Sequence, residues 1–399
     1  MKYQPGALLP IFFLYLSAIQ AAIGGDIDRM KFWDGDEPRK GANYFNAVPE
    51  ARWFEDAREL GIEWVRLAYD KWSSQERDFL IGNADNFTSL VQKDLDVLME
   101  VLDWAHKYGI KVVVTPLSLP GNRWSQNNDD QRDLRLWNDK TYWDQSAKFW
   151  SALAAKLKNH PAVYGYNLIN EPTPEMGTGL EEHGPADRYT TWYENYKNTS
   201  HDLPAFYIKL LAAIRDSDTE TPVMLDAGWY AQPDAFTHWP RMPDSRILYS
   251  FHMYEPYSFT SAGNFRKEAN LTYPGVIPFA GESTEWNMDR IKIYLEPFLK
   301  WAEDRDIPAN RLVCGEFGCY RRNTGCDQYL SDVISVLNNQ KIHWAFYSFR
   351  EDEWDGYDYE IGTGGLGWKY WEAKEKGMNP SPPRQNNPLF EVIRREFQK

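Results

Sequence analysis

From about residue 40 onward, short runs of β-branched and aromatic residues alternate with longer stretches whose apolar positions recur at helical spacing. Leu90, Val91, Leu95, Leu98, Val101, Leu102 and Ala105 mark one face of a helix over 90–108, which Gly109 closes. Val112, Val113 and Val114 follow, a run suited to a strand buried on both faces. The same reading places strands at 42–45, 64–69, 111–117, 163–170, 223–227, 247–254, 311–316 and 344–349. Helices are expected at 51–60, 90–108, 143–158, 203–215, 290–304 and 329–338. A last helix starts at Pro388, with Asn387 as its cap. Eight strands alternating with helices predict an α/β fold, a single (β/α)₈ TIM barrel. A doubly wound sheet is the alternative, but it normally carries an early glycine-rich phosphate loop, and this chain shows none. With no internal repeat and no Ser/Gly/Pro linker, one domain is expected over 26–399.

In a barrel of this kind the strand C-terminal ends line the active site. The predicted ends are Asp70, Leu117 and Ser118, Asn170 and Glu171, Trp229, His252 to Tyr254, Glu316, and Tyr347 to Arg350. Two of the carboxylates follow hydrophobic runs, where an ionisable group is costly unless it has work to do. Glu171 ends Tyr164-Gly165-Tyr166-Asn167-Leu168-Ile169-Asn170-Glu171-Pro172, and Glu316 lies in Val313-Cys314-Gly315-Glu316-Phe317-Gly318. Cleaving an acetal needs a proton for the departing oxygen and a group that stabilises the sugar cation. A pair of carboxyl groups serves both needs, with a covalent intermediate when they lie about 5–5.5 Å apart and a water between them at about 6.5–9.5 Å.

Composition sharpens this picture. Aromatic residues make up 16% of the 399-residue chain, with 18 Trp and 24 Tyr. Such flat rings suit sugar faces as well as cores. The formal net charge of −14 excludes nucleic acid and anionic membrane surfaces as favoured partners. Residues 1–21 read as a signal peptide, with Lys2, an apolar stretch over 8–19 and small residues from Ala21. A secreted protein without a membrane partner after cleavage is therefore expected, acting as a monomer. Three cysteines make no disulfide framework, although Cys319 and Cys326 are close enough in sequence to close one small loop, leaving Cys314 as a buried apolar residue. No histidine stands near them at ligand spacing, so neither a metal nor a cofactor is expected. Loops over 173–202 and 255–287 are long for a compact domain and are expected to shape a cleft. Asn86, Asn198 and Asn270 open Asn-x-Ser/Thr sequons.

An Asn-Glu-Pro at the end of a fourth strand and a Gly-Glu-Phe-Gly at the end of a seventh resemble glycoside hydrolase family 5, the cellulase family. The ordered motifs span roughly residues 41–350. The resemblance implies a retaining β-glycosidase with Glu171 as acid/base, Glu316 as nucleophile and Asn170 holding the sugar 2-hydroxyl. It implies that Arg66 contacts the nucleophile, that His252 sits near the acid/base, and that Tyr254 donates to the nucleophile. A raised pKa is expected for Glu171, opposed in its ionisation by Glu316. Two positions depart from the family pattern. Leu117, in Thr115-Pro116-Leu117-Ser118-Leu119-Pro120-Gly121, stands where a histidine is usual, and Tyr347 stands where a tryptophan usually lies under the sugar. Trp124, Trp229 and Trp354 follow strand ends and are read as sugar-stacking platforms. The implied substrate is cellulose or mixed β-glucan, with β-mannan or another β-glycoside as alternatives. A barrel that binds polysaccharide without cutting it is the reading from another class, and the intact glutamate pair speaks against it.

Overall fold

The computed structural model describes residues 28–266, 270–378 and 380–399, so the expected signal peptide lies outside the described residues. The strands are β1 (Lys40–Tyr44), β2 (Trp64–Leu67), β3 (Lys111–Val114), β4 (Val163–Asn167), β5 (Val223–Asp226), β6 (Ile247–Met253), β7 (Gly275–Phe279), β8 (Glu282–Trp286), β9 (Leu312–Phe317) and β10 (His343–Phe346). Eight of them close a parallel barrel in the order β1-β2-β3-β4-β5-β6-β9-β10. This is the (β/α)₈ barrel expected from the alternating pattern.

Alternation within the strands decides what the barrel encloses. Val65, Leu67, Val112, Val114 and Leu225 join the large core shared with the outer helices. Trp64, Val113, Met224, Leu248, Val313 and Ala345 instead form a separate cluster closed by Met30 and Trp33 of a short N-terminal helix, Met30–Trp33. A Cβ on Gly41 would meet the Trp64 ring at 2.6 Å, so glycine there makes room for the indole. The lower barrel is thus an apolar plug, and its upper end carries polar groups.

Outer helices lie at Ala51–Leu60, Gln92–Tyr108, Thr141–Leu157, Leu203–Arg215, Met288–Glu303 and Cys326–Asn339. The closing helix Pro388–Phe397 begins where Asn387 caps it, accepting from Leu389 N and Phe390 N. The strands at the catalytic end stop earlier than their apolar runs suggested, at Leu67, Val114 and Asn167. Ala68, Tyr69, Leu117, Leu168 and Ile169 remain buried beyond those ends, so their hydrophobicity reports burial under loops and not strand pairing. The long loop after β4 contains a helix, Ala186–Tyr196, and the one after β6 contains the antiparallel β7–β8 hairpin. All three cysteines are free and buried, and Cys326 Sγ donates to Cys319 O at 3.2 Å, so no disulfide closes the small loop.

Candidate active site

Above the apolar plug, inward positions of successive strands are polar: Asn43 on β1, Arg66 on β2, Asn167 on β4, Asp226 on β5, His252 on β6 and Glu316 on β9. A fully buried guanidinium is tolerated only when its donors are met. Arg66 Nη1 donates to Glu316 Oε1 at 2.5 Å and to Asn43 Oδ1 at 2.9 Å. Its Nη2 donates to Asn167 Oδ1 and Asn170 Oδ1, each at 2.7 Å, and reaches Asp226 Oδ2 at 3.3 Å. With its carbonyl oxygen held by Arg66, Asn170 is left with its amide N–H groups as donors.

Glu171 lies four residues past the end of β4, in a turn and not on the strand itself. Its φ of 48° is left-handed, a conformation that costs an L side chain about 1–2 kcal/mol. Asp226 Oδ2 holds this turn by accepting from Glu171 N at 3.3 Å. The Glu171 side chain reaches His252, whose Nδ1 lies 2.9 Å from Oε1. Across the barrel mouth, Tyr254 OH donates to Glu316 Oε2 at 2.8 Å. An oxygen of Glu171, one of Glu316 and a nitrogen of His252 all lie within 4.8 Å of one another. Gly315 permits this approach, because a Cβ there would sit 2.6 Å from Ser250 Oγ and 3.1 Å from His252 Nε2. Gly318 likewise leaves room for the Tyr347 carbonyl, 2.8 Å from where its Cβ would stand.

The two carboxyl groups differ electrically. Burial raises the Glu171 carboxyl to about 8, with the Asp226 charge adding to the effect and Arg66 opposing it. The expected direction holds, but burial and Asp226 lead the causes, not Glu316. Burial also raises Glu316, and here His252, Arg66 and the Tyr254 hydroxyl all pull it back down. Burial lowers His252, against the Glu316 and Asp226 charges that raise it, and burial raises Tyr254. Glu171 is thus held high by burial and Asp226, whereas the upward push of burial on Glu316 is opposed by hydrogen-bonded and charged neighbours.

The remaining expected residues surround this pair. Tyr347 OH donates to Glu351 Oε2 at 2.7 Å, and its ring packs edge-on against Phe45 and Tyr357. Leu117 is buried with Phe45 and Ala68, next to Trp124 and Tyr347, so that wall offers packing where a histidine would offer hydrogen bonds. Asp70 fixes it by accepting from Leu117 N and Ser118 N, each at 2.8 Å. Trp124 is half-buried with Lys71 Nζ 5.5 Å from its ring centre, and Trp354 is exposed. Trp229 is only 9% exposed, in a run of left-handed residues with Tyr230 and Ala231, and its indole N–H has no partner among the described residues.

Sequence reasoning missed Asn43, Asn167 and Asp226. Their signal was present as polar residues at inward, period-two positions of otherwise apolar strands. Two groups of side chains have the donor types for a metal ion among the described residues: Glu171–His252–Glu316 and Glu182–His183–Glu255. In the first, Arg66 already supplies the positive charge to Glu316. In the second, Gln232 takes one ring nitrogen of His183 and Phe279 packs against the ring.

The profile of the cellulase family, glycosyl hydrolase family 5, matches residues 31–353. The chain is 21% identical over 338 residues to Endoglucanase C of Acetivibrio thermocellus, covering 79% of this chain and 88% of that one. It is 24% identical over 365 residues to a beta-xylosidase of Phanerodontia chrysosporium, covering 89% of this chain and 62% of the relative. Among solved structures, endoglucanase Cel5A from Thermotoga maritima superposes with a TM-score of 0.59 at 16% identity, over 89% of this chain and 96% of that one. With most of its length matched by the family profile on the barrel just described, the chain belongs to glycosyl hydrolase family 5, the cellulases, and is a glycosidase that hydrolyses O-glycosyl bonds.

Proposed function

We propose that this protein is a retaining endo-β-1,4-glucanase in which Glu171 is the acid/base and Glu316 the nucleophile. The observation that carries the reading is the approach of one oxygen of Glu171 to within 4.8 Å of one of Glu316, with Arg66 and Tyr254 both bonded to Glu316. That spacing suits a covalent glycosyl intermediate and leaves too little room for an inverting water. Glu316 attacks the anomeric carbon while protonated Glu171 gives its proton to the departing oxygen. Glu171, then ionised, takes a proton from the water that releases the sugar. Asn170, oriented by Arg66, donates to the 2-hydroxyl. Two of the relatives are named as endoglucanases, which supports a β-glucan, while a third is a beta-xylosidase, and a panel of β-1,4-glucan, β-mannan and xylan, read by reducing ends, tests the choice. Proton NMR of early product is expected to show the β-anomer first, and an initial α-anomer would rule out retention.

Asp226 gives a second test. Its charge helps hold the Glu171 carboxyl high, and it also shares Arg66. Asp226→Asn removes that repulsion and leaves Arg66 less neutralised, so both effects lower the Glu171 pKa. Because the protonated form is the working form, the alkaline limb of kcat/KM is expected to move to lower pH. An unmoved limb would show that Asp226 does not tune the acid.

The protein is proposed to act outside the cytoplasm, supported by the signal-like residues 1–21. Among the described residues no helix is long and apolar enough to cross a membrane. N-terminal sequencing of exported protein is expected to begin at Ala22.

A further inference from the structure

Of the 18 tryptophans, three are exposed, and all three fall in one short segment after β10: Trp354 at 38%, Trp368 at 69% and Trp371 at 45%. Trp368 and Trp371 stand on a helix, Trp368–Glu375, that has no buried residue at all. Three positions apart, they share one face of it. Such a helix gains nothing for the core from its indoles, and exposed aromatic surface in a soluble protein usually marks a contact.

The position of the helix says what it contacts. Lys374 Nζ donates to Asp352 O at 2.8 Å, tying the helix to the loop that follows β10 at the catalytic face. Within that loop Trp354 packs on Tyr357 at 4.8 Å, and Tyr357 packs on Tyr347 at 5.4 Å and on Tyr254 at 6.4 Å. Tyr254 is bonded to Glu316. Aromatic rings therefore run without a break from the carboxylate pair outward to Trp354, on the loop that also anchors the tryptophan helix. Two lysines and two glutamates leave that helix without net charge, which favours a neutral partner over a charged one.

We propose that Trp368 and Trp371 form a second glycan-binding site, outside the cleft, which holds a neutral β-linked polysaccharide chain by ring stacking. The inference rests on the reading of the cleft as a polysaccharide-cutting site, but is tested by binding alone. The two indoles keep the enzyme on an insoluble polymer between cuts, a task the cleft performs only while a chain is threaded through it.

The experiment measures adsorption of the Glu316→Ala protein to insoluble cellulose, with and without Trp368→Ala and Trp371→Ala. The double substitution is expected to lower the partition coefficient about 5-fold or more, consistent with losing two stacked rings. Trp368→Phe with Trp371→Phe, which keeps aromatic faces, is expected to retain most of the adsorption and shows that the alanine effect is not misfolding. Equal adsorption with and without the alanines overturns the proposal, as does a parent protein that does not adsorb at all. If wild type cuts no β-glycan but adsorption still depends on the two tryptophans, the second site stands and the proposed hydrolysis falls.

Discussion

Glu316→Ala is expected to lower turnover of β-glucan by on the order of 10⁴-fold or more, as when one member of an interdependent catalytic group is removed. Two losses combine. The sugar cation loses the carboxylate that would capture it, and Arg66 Nη1 loses the partner that it holds at 2.5 Å. An under-neutralised guanidinium then faces a carbon that must itself become positive. The same charge and the Tyr254 hydroxyl should draw a small anion into the vacated space. Azide is accordingly expected to restore cleavage of an aryl β-glycoside, with NMR showing the α-glycosyl azide. Near-normal activity on polymer would show that Glu316 is not the nucleophile. A melting curve on the same sample separates chemistry from the stability cost of leaving Arg66 short of one partner.

Glu171→Gln is expected to cost about 10²–10⁴-fold on unactivated glucan, the usual worth of a positioned proton donor. The loss should be much smaller on an aryl glycoside whose leaving group needs little protonation. Glutamine keeps the size of the side chain and a carbonyl for His252 to meet, so a change in rate reports the missing proton. The pH profile supplies the stronger check. With the carboxyl raised to about 8, the protonated form dominates at neutral pH, and wild-type activity should fall as pH rises through that value. In the variant that alkaline limb should disappear. Full activity on unactivated glucan with an unchanged alkaline limb would remove Glu171 from the reaction.

The elements legible in advance were those whose boundaries carry local chemistry. Gly61 and Gly109 end their helices in left-handed conformations, and Asn387 begins one, as their residue types suggest. Strand ends at the catalytic face were overextended because Leu168 and Ile169 stay buried after pairing stops. The β7–β8 hairpin was not anticipated because Pro278 interrupts the short apolar run of β7, and β8 opens with the exposed, polar Glu282-Ser283-Thr284-Glu285, which gives no hydrophobic alternation to read. Arg66 and Tyr254 were paired with Glu316 through the resemblance, since nothing local in the chain joins residues 250 and 62 positions apart.

By itself, the sequence determined the barrel, the order of its strands and the two glutamates that face its mouth. Periods of 2 and 3.6 residues record burial directly, and motifs at strand ends inherit their place from that pattern. Closure of the barrel decided the rest. It brought one oxygen of Glu171 to within 4.8 Å of one of Glu316, and it brought Asp226 onto both Arg66 and the Glu171 backbone. It also enclosed Trp229 while leaving Trp354 open. These are distances and dielectric surroundings that depend on which strands become neighbours. A fully buried guanidinium has to be satisfied by whichever side chains the barrel gathers around it, so the charge balance that distinguishes Glu171 from Glu316 exists only once the barrel has closed.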